Sequence, residues 1–288
     1  MKKNKVSFVF ALPAFVIYTA LLVIPIIMAL GISFFKWNGF NEMRFVGIDN
    51  YVSLFQDARL GNAVINTVII AGSVIVIVNV LGLVLAMLVN RSSRVNNFFR
   101  TIFFIPFVLS AVALSFVWKS ILSYNGVLNG FLKMAGLSNL VGNWLGKRGS
   151  ALICIIIIEI WRTLGYHMML YLAALQAIPE ELYEACTMDG GNRWDKFRNV
   201  TLPLIVPGMS VSILMSIINE LRIYDVVKIM TDGGPGYATE TIVYNIVAQG
   251  FSNNIVGYSS AIAVVLFLAI GTLSVFVVTQ MGKREVEM

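Results

Sequence analysis

The sequence predicts an all-α polytopic membrane protein with six transmembrane helices and one structured polar loop. Of its 288 residues, 58% are hydrophobic and only 12% are charged, whereas soluble domains carry about 25% charged residues. The apolar residues are collected into runs long enough to cross a bilayer, which requires about 20 residues in a helix. Because only a helix satisfies its own backbone over such a run in lipid, each run is predicted to be helical.

Six apolar runs, separated by polar loops, are the predicted spans of a single transmembrane domain, 1–288. They cover approximately 8–35, 62–89, 102–122, 151–175, 204–227 and 258–281. The first run is too long for a signal peptide, whose apolar part has roughly 7–15 residues, and we expect it to kink near Pro13 and Pro25. Val127 to Met134 could form a short helix at the membrane surface, and Gly233-Gly234-Pro235-Gly236 predicts a turn after the fifth span.

The loop between the fourth and fifth spans, 176–203, is polar but not featureless. Its acidic and basic residues cannot lie in hydrocarbon, so the loop must lie on one face of the membrane. Pro179 suits the start of a helix, and Gly190-Gly191 interrupts that helix. Leu202-Pro203 is expected to stop a second helical run. Two short helices joined by a glycine bend make a compact unit. Such a unit is better suited to docking on a partner than to serving as a passive connection between two spans.

Basic residues predict that this loop and both termini are cytoplasmic. That face carries eleven Lys and Arg residues on short segments, and the opposite face carries eight on longer loops. The net charge of +6 does not indicate a nucleic-acid partner, because the basic residues lie at the ends of apolar runs and form no stripe. Cys154 and Cys186 have no metal-ligand spacing and no disulfide pattern, so they are expected to be packing residues.

Ionisable residues inside the spans require an explanation, because each costs roughly 2.5–3.5 kcal/mol at mid-helix. Glu159 and Arg162 are three residues apart and can form an ion pair, which either joins helices or lines a water-filled path. Glu220 has no basic residue three or four positions away, which favours the second role. Trp161 and Tyr166 lie near these charges, and aromatic rings beside hydrogen-bonding groups suit a sugar.

No catalytic constellation is present in the sequence. It has a single histidine, His167, no phosphate-binding loop and no nucleophile with a paired base. The chain is therefore predicted to be neither an enzyme nor a cofactor protein, and if ATP drives transport, the ATPase is another chain. An ion-coupled carrier that uses Glu159 and Glu220 as proton sites remains an alternative, and a membrane-embedded enzyme is a weaker one.

The polar loop carries a motif with defined spacing. Glu184-Ala185-Cys186, three residues, Gly190, nine residues and Val200-Thr201-Leu202-Pro203 resembles the EAA motif of binding-protein-dependent ABC importer permeases. The departures from that motif are Cys186 for alanine and Val200 for isoleucine. The run YDVVKIMTDGGPGYATET is similar to the carbohydrate-uptake branch, of the maltose, multiple-sugar and glycerol-phosphate type.

The resemblance implies that the 176–203 loop is a coupling loop and that the chain translocates a sugar, in particular an oligosaccharide. ATP and Mg would be bound by a dimer of cytoplasmic ATPase subunits, and the other partners would be a second permease and an extracellular or periplasmic binding protein. Glycerol phosphate or another small polar solute is the alternative cargo. The implied coupling residues are Glu184, Ala185, Asp189, Gly190, Leu202 and Pro203. The implied substrate pathway comprises Trp161, Tyr166, Asn219, Glu220 and Ile223.

Overall fold

The structure is a computed structural model that describes residues 3–283, with side chains from residue 10 onward. Residues 1–2 and 284–288 of the predicted domain lie outside the described residues, and with them Lys2 and Arg284, which contributed to the predicted orientation. Within 3–283 the backbone is mostly helical. The one sheet of this part is a two-residue antiparallel pair, in which Phe35 faces Phe45.

The helices follow the chain as predicted for an all-α protein. They are α1 (Lys3–Tyr18), α2 (Ile24–Ile32), α3 (Asp49–Gln56), α4 (Ala58–Leu88), α5 (Arg94–Val108), α6 (Ala111–Leu122), α7 (Val127–Met134), α8 (Arg148–Gln176), α9 (Glu180–Met188), α10 (Arg193–Lys196), α11 (Leu202–Leu204), α12 (Val206–Glu220), α13 (Asp225–Met230), α14 (Ile242–Val247) and α15 (Val256–Gly282). Strands β1 (Phe35–Lys36) and β2 (Arg44–Phe45) lie between α2 and α3.

Six helical segments of the described chain are long and apolar enough to cross a membrane, which confirms the predicted fold class. They are Phe10–Ile32, Ala58–Leu88, Ala111–Met134, Arg148–Gln176, Val206–Met230 and Val256–Gly282. The third differs from the predicted 102–122 span. The chain breaks between α5 and α6, where the Ser110 hydroxyl accepts a hydrogen bond from the Ala113 N–H and caps α6. A continuous helix over 102–122 is therefore wrong.

The fifth predicted span, 204–227, is also broken. Helix α12 ends at Glu220, and α13 begins only at Asp225. The freed carbonyl of Ile223 accepts a hydrogen bond from Thr241 Oγ1 at 2.9 Å. Non-helical backbone is tolerated at membrane depth where protein groups or a cavity satisfy it. No Pro or Gly lies within 221–224, so the sequence gives no local signal for this break.

Two π-helical turns of the described chain each lie just before a proline. Turns over Thr19–Val23 and Phe197–Thr201 are each followed two residues later by a proline, Pro25 or Pro203. In both places the next α-helical segment starts directly after the π turn. The expectation that Leu202-Pro203 stops the second helical run of the loop is therefore wrong. The wider turn accommodates proline, so that α11 follows without a gap.

The chain forms two compact units. The first comprises Met1–Leu60 with Asn245–Leu268, and in it Asn50 Nδ2 donates to the Ser33 and Phe35 carbonyls at 2.8 and 3.0 Å. The second comprises Gly61–Tyr244 with Ala269–Met288. The single domain over 1–288 stays a prediction.

Helix α8 forms the centre of the second unit. Gly165 lies so close to α5 that a Cβ there would overlap the carbonyl oxygen of Phe103, the kind of contact that small residues permit between membrane helices. Nearer the 176–203 loop, α4, α8 and the loop share an apolar core. Its buried residues are Ala86, Val89, Met168, Tyr171, Leu172, Leu175, Ile178, Val200 and Ile205. The loop is therefore packed onto the membrane helices.

Candidate functional site

The bend of the 176–203 loop is built by two consecutive glycines. Gly190 has a φ of +81°, in the left-handed region that favours glycine. Its N–H donates to the Thr187 carbonyl at 3.0 Å, and the Gly191 N–H donates to the Cys186 carbonyl at 2.9 Å. These two bonds form a Schellman motif, which satisfies the last carbonyls of α9. Gly191 also lies so close to α9 that a Cβ would meet Cys186 Sγ at 2.6 Å.

The second arm of the loop starts with a capping box. Asn192 Oδ1 accepts from the N–H groups of Trp194 at 2.7 Å and Asp195 at 3.1 Å, and Asp195 Oδ2 accepts from the Asn192 N–H at 2.9 Å. Such reciprocal bonds satisfy the donors that a helix start leaves free. A further bond of 3.0 Å between the Tyr183 and Thr201 hydroxyls joins the two arms. The loop is therefore a rigid, locally determined unit.

A concave site of about 500 Å³ lies between the two arms of the loop. Of the predicted coupling residues, Ala185, Asp189 and Gly190 line it. Glu184 and Leu202 are exposed outside it. Pro203 is half-buried and also does not line it. The structure thus offers an exposed carboxylate beside a concave surface at the end of α8.

A charged cavity of about 360 Å³ lies at the break between α12 and α13, within the second unit. Helices α5, α6, α8, α12 and α13 all contribute to its wall. It is lined by Phe107, Ala111, Glu159, Arg162, Thr163, Asn219, Glu220, Arg222, Ile223, Tyr224, Asp225 and Val226. The unwound segment brings consecutive residues to one place, where a continuous helix would have distributed them around its axis.

The charges in this cavity are only partly compensated. Arg162 Nη2 and Nε contact Glu159 Oε2 at 2.7 and 3.0 Å, and Glu159 is 1% exposed. Glu220 is also 1% exposed, and its Oε1 accepts no hydrogen bond in the described structure. A buried polar atom without a partner is costly, so a ligand or water that donates a hydrogen bond to Glu220 would be favoured.

The predicted pathway residues do not all meet here. Asn219, Glu220 and Ile223 line the charged cavity, whereas Trp161 and Tyr166 do not. Trp161 is 41% exposed and packs edge-on against Trp118, with ring centroids 5.5 Å apart. Tyr166 stacks on the Phe107 ring at 4.4 Å.

Helical spacing accounts for the difference between these residues. Positions 159, 162 and 163 lie on one face of α8, and position 161 lies on the opposite face. Position 166 lies on the same face as 162 and 163 but one turn further along the helix, where its ring stacks on Phe107 and does not line the cavity. Phe107, Ala111 and Thr163 also line the cavity and were not predicted from the sequence. Only Thr163, four residues from Glu159 and hence on the same helix face, had a usable signal.

A helical membrane bundle with a charged cavity at a broken helix and a structured polar loop at the end of α8 is typical of a membrane transport protein. The chain belongs to the family described as the binding-protein-dependent transport system inner membrane component, whose model matches residues 78–286. This confirms the predicted family. It identifies the chain as a permease subunit of an ABC importer, a multi-pass inner-membrane protein without a cofactor of its own.

Individual relatives extend the match over nearly the whole chain. The probable starch degradation products transport system permease protein of Thermoanaerobacterium thermosulfurigenes is 36% identical, over 97% of this chain and 94% of the relative. The trehalose/maltose transport system permease protein of Thermococcus litoralis is 30% identical, over 93% of this chain and 91% of the relative. Membership of this family excludes the two alternative hypotheses, an ion-coupled carrier and a membrane-embedded enzyme.

A solved structure confirms the fold. A chain of a bacterial ABC transporter involved in the import of the acidic polysaccharide alginate superimposes with a TM-score of 0.84 at 23% identity. The superposition covers 98% of this chain and 96% of the other. At this identity the likeness concerns the fold, and the roles of the individual site residues stay predictions.

Proposed function

We propose that the chain is one of two permease subunits of an ATP-driven importer for a neutral sugar. The observation that carries the proposal is the charged cavity, because it places Glu220 and its neighbours at a break inside a membrane span. Discontinuous membrane helices commonly form substrate sites of transporters. Support for a sugar comes from relatives whose names state starch degradation products, trehalose and maltose, multiple sugars or lactose.

A neutral sugar fits the wall of the cavity better than an anion. The buried Glu220 oxygen without a partner can accept a hydrogen bond from a hydroxyl group. Arg162 is already paired with Glu159, which leaves less positive charge for an anionic group. Phe107 and Tyr224 add ring surfaces against which the C–H groups of a sugar can pack.

The 176–203 loop is proposed to dock on a cytoplasmic ATPase subunit, with both termini on the same side. Glu184 is exposed and can form a charge-assisted hydrogen bond with a basic residue of the partner. The concave site next to it would receive an apolar side chain, because Leu182 and Val200 contribute to its wall. A second permease and an external binding protein complete the proposed complex.

Uptake by the reconstituted importer tests the cargo. Proteoliposomes that contain the assembled complex and its binding protein should import a neutral oligosaccharide such as maltotriose, and glycerol 3-phosphate should not compete. Glu220→Gln keeps the shape of the side chain and replaces the carboxyl group with an amide. We expect at least a fivefold change in the ratio of neutral to anionic substrate uptake, since about 1 kcal/mol corresponds to a factor of 5. Preferential import of the anion by the parent complex would contradict the proposal.

Co-purification with the ATPase tests the docking surface separately. Glu184→Lys should abolish the charge-assisted contact and lower the recovered ATPase, while the chain still inserts. Glu181→Lys is the matched control, because Glu181 is exposed on the same helix and lies outside the motif. Equal recovery with the two variants would remove Glu184 from the docking surface.

A further inference from the structure

A buried polar layer lies between the charged cavity and the apolar core under the loop. It consists of Asn79 on α4, His167 and Tyr171 on α8, and Ser212 and Ser216 on α12. All five are at most 9% exposed. Asn and Ser side chains form hydrogen bonds between membrane helices, and an ionisable side chain such as His167 is rare within a span. The ion pair, the cavity and the loop described above do not account for this layer.

Asn79 is the centre of the layer, and every hydrogen-bonding position of its amide is used. Its Oδ1 accepts from the Tyr171 hydroxyl at 2.9 Å and from the Ser212 hydroxyl at 2.7 Å. Its Nδ2 donates to Ser216 Oγ at 3.0 Å and to the Ile75 carbonyl at 2.7 Å. An amide offers two donors and two acceptor sites, so none is left over.

His167 extends the layer by one further bond. Its Nδ1 lies 2.8 Å from Ser212 Oγ. Because the Ser212 hydroxyl donates its only proton to Asn79, it must accept from His167, and His167 Nδ1 therefore carries a proton. Three helices are thus fixed relative to one another through directional bonds.

The layer touches the cavity on one side. Thr163, which lines the cavity, lies one helical turn before His167 on α8, and Glu220 lies one turn after Ser216 on α12. Any change in the distance between α8 and α12 at the layer therefore changes the width of the cavity one turn away.

Tyr171 connects the layer to the loop on the other side. Its ring belongs to the apolar core that also contains Ile178 and Val200 of the loop, and its hydroxyl bonds to Asn79. The path from loop to cavity therefore runs from Val200 through the core to Tyr171, then to Asn79, and from there to both walls of the cavity. Close-packed cores shift between discrete arrangements rather than deform continuously.

We infer that Asn79 is a positioning residue through which movement of the 176–203 loop reaches the charged cavity. The inference rests on the proposed function, since it assumes that an ATPase moves the loop. It predicts that removing the amide separates nucleotide-driven movement of the loop from rearrangement of the cavity.

Cysteine labelling in the assembled importer tests this inference without knowledge of the sugar. The parent carries Cys154→Ala and Cys186→Ala, together with Ala111→Cys, because Ala111 lines the cavity. The maleimide labelling rate is measured without nucleotide and with ATP and vanadate. In the parent we expect ATP to change the rate. In Asn79→Ala we expect the ATP-dependent change to shrink by about fivefold or more, the lower end of usual coupling strengths, with ATPase co-purification retained.

Two further variants keep the test decisive if Asn79→Ala does not assemble. Tyr171→Phe removes the hydroxyl that bonds to Asn79 and leaves the ring in the core, and it should reduce the ATP-dependent change in the same direction. Tyr258→Phe is the matched control, because its hydroxyl bonds to Asp57 in the other unit, and it should behave as the parent does. An unaltered ATP-dependent change in Tyr171→Phe would overturn the inference while the proposed function stands. Absence of any ATP effect in the parent would overturn both.

Discussion

The 176–203 loop and the charged cavity are built in opposite ways. In the loop the shaping bonds are local: the Schellman motif closes within six residues, and the capping box within four. In the cavity the wall comes from five helices, and Phe107 and Asp225 are more than a hundred residues apart. A locally encoded surface keeps its shape when helices move, whereas a surface assembled from distant residues changes with them. This difference suits the docking role proposed for the loop and the substrate-pathway role proposed for the cavity.

Because the two regions are built from different contacts, a substitution can disrupt one region and leave the structure of the other unchanged. Substitutions in the cavity should leave the docking surface intact, and substitutions in the loop should leave the packing of α8 against α5 unchanged.

Loss of the buried ion pair should have the largest effect. Arg162→Ala leaves Glu159 unpaired at 1% exposure, and removing one partner of a buried pair costs about 3–5 kcal/mol. Thermal unfolding of the purified complex should show a clearly lower midpoint than for the parent. Arg222→Ala is the control, since Arg222 lines the same cavity but is exposed. Equal losses in the two variants would mean that the pair does not stabilise the cavity wall.

Overpacking of the loop bend should come next. A Cβ at Gly191 would lie 2.6 Å from Cys186 Sγ and 2.7 Å from the Cys186 carbonyl, and such overpacking costs about 1–3 kcal/mol. Gly191→Ala should therefore lower ATPase co-purification while the unfolding midpoint of the membrane bundle changes little. Gly130→Ala adds the same methyl group in open space and should have no effect. A reduced bundle midpoint in Gly191→Ala would show that the loop is not independent.

The same division between local and distant contacts explains what the sequence could predict. The glycine bend at Gly190 and the short helices around it follow from consecutive residues, and they were predicted. At the break over 221–224, the freed carbonyl of Ile223 accepts a hydrogen bond from Thr241, which lies 18 residues further along the chain. A local sequence pattern cannot predict such a contact. The helix continues past Pro203 because a π turn precedes it. Proline usually ends or kinks a helix, so the sequence alone predicted a stop there.

The cavity illustrates the same limit for the site. Glu159, Arg162 and Glu220 stood out because charges in apolar runs are conspicuous without any structure. Phe107 is an ordinary apolar residue in its own segment, and only the packing of α5 against α8 brings it to the cavity. Trp161 was selected for its chemistry, but helical rotation places it against Trp118 instead.

Removal of the helix cap tests the local construction of the loop on a smaller scale. Asn192→Ala eliminates the acceptor for two backbone N–H groups, and loss of such a cap costs about 1 kcal/mol. Amide hydrogen exchange of the peptide that contains Trp194 and Asp195 should accelerate by about fivefold. Asn199→Ala is the control for this readout, because Asn199 is an exposed asparagine in the same arm. Accelerated exchange across α8 as well would contradict the local character of the cap.

The turn after α13 provides the smallest and most specific test. Lys228 Nζ contacts Asp232 Oδ1 at 2.6 Å, four residues away, and the Tyr244 hydroxyl also donates to this carboxylate. The hydrogen bond from Lys228, followed by that from Tyr244, lowers the pKa of Asp232 below its usual value. The bonded carboxylate therefore stabilises the turn above the unfolded-state pKa of about 3.9, and this contribution is lost as the pH falls through the lower, folded-state pKa. Both side chains are well exposed, so the pair is worth at most about 1 kcal/mol.

Asp232→Asn should lower the unfolding midpoint slightly at pH 7 and match the parent in strong acid. A difference that persists unchanged at low pH would show that the asparagine disturbs the turn through packing rather than through charge.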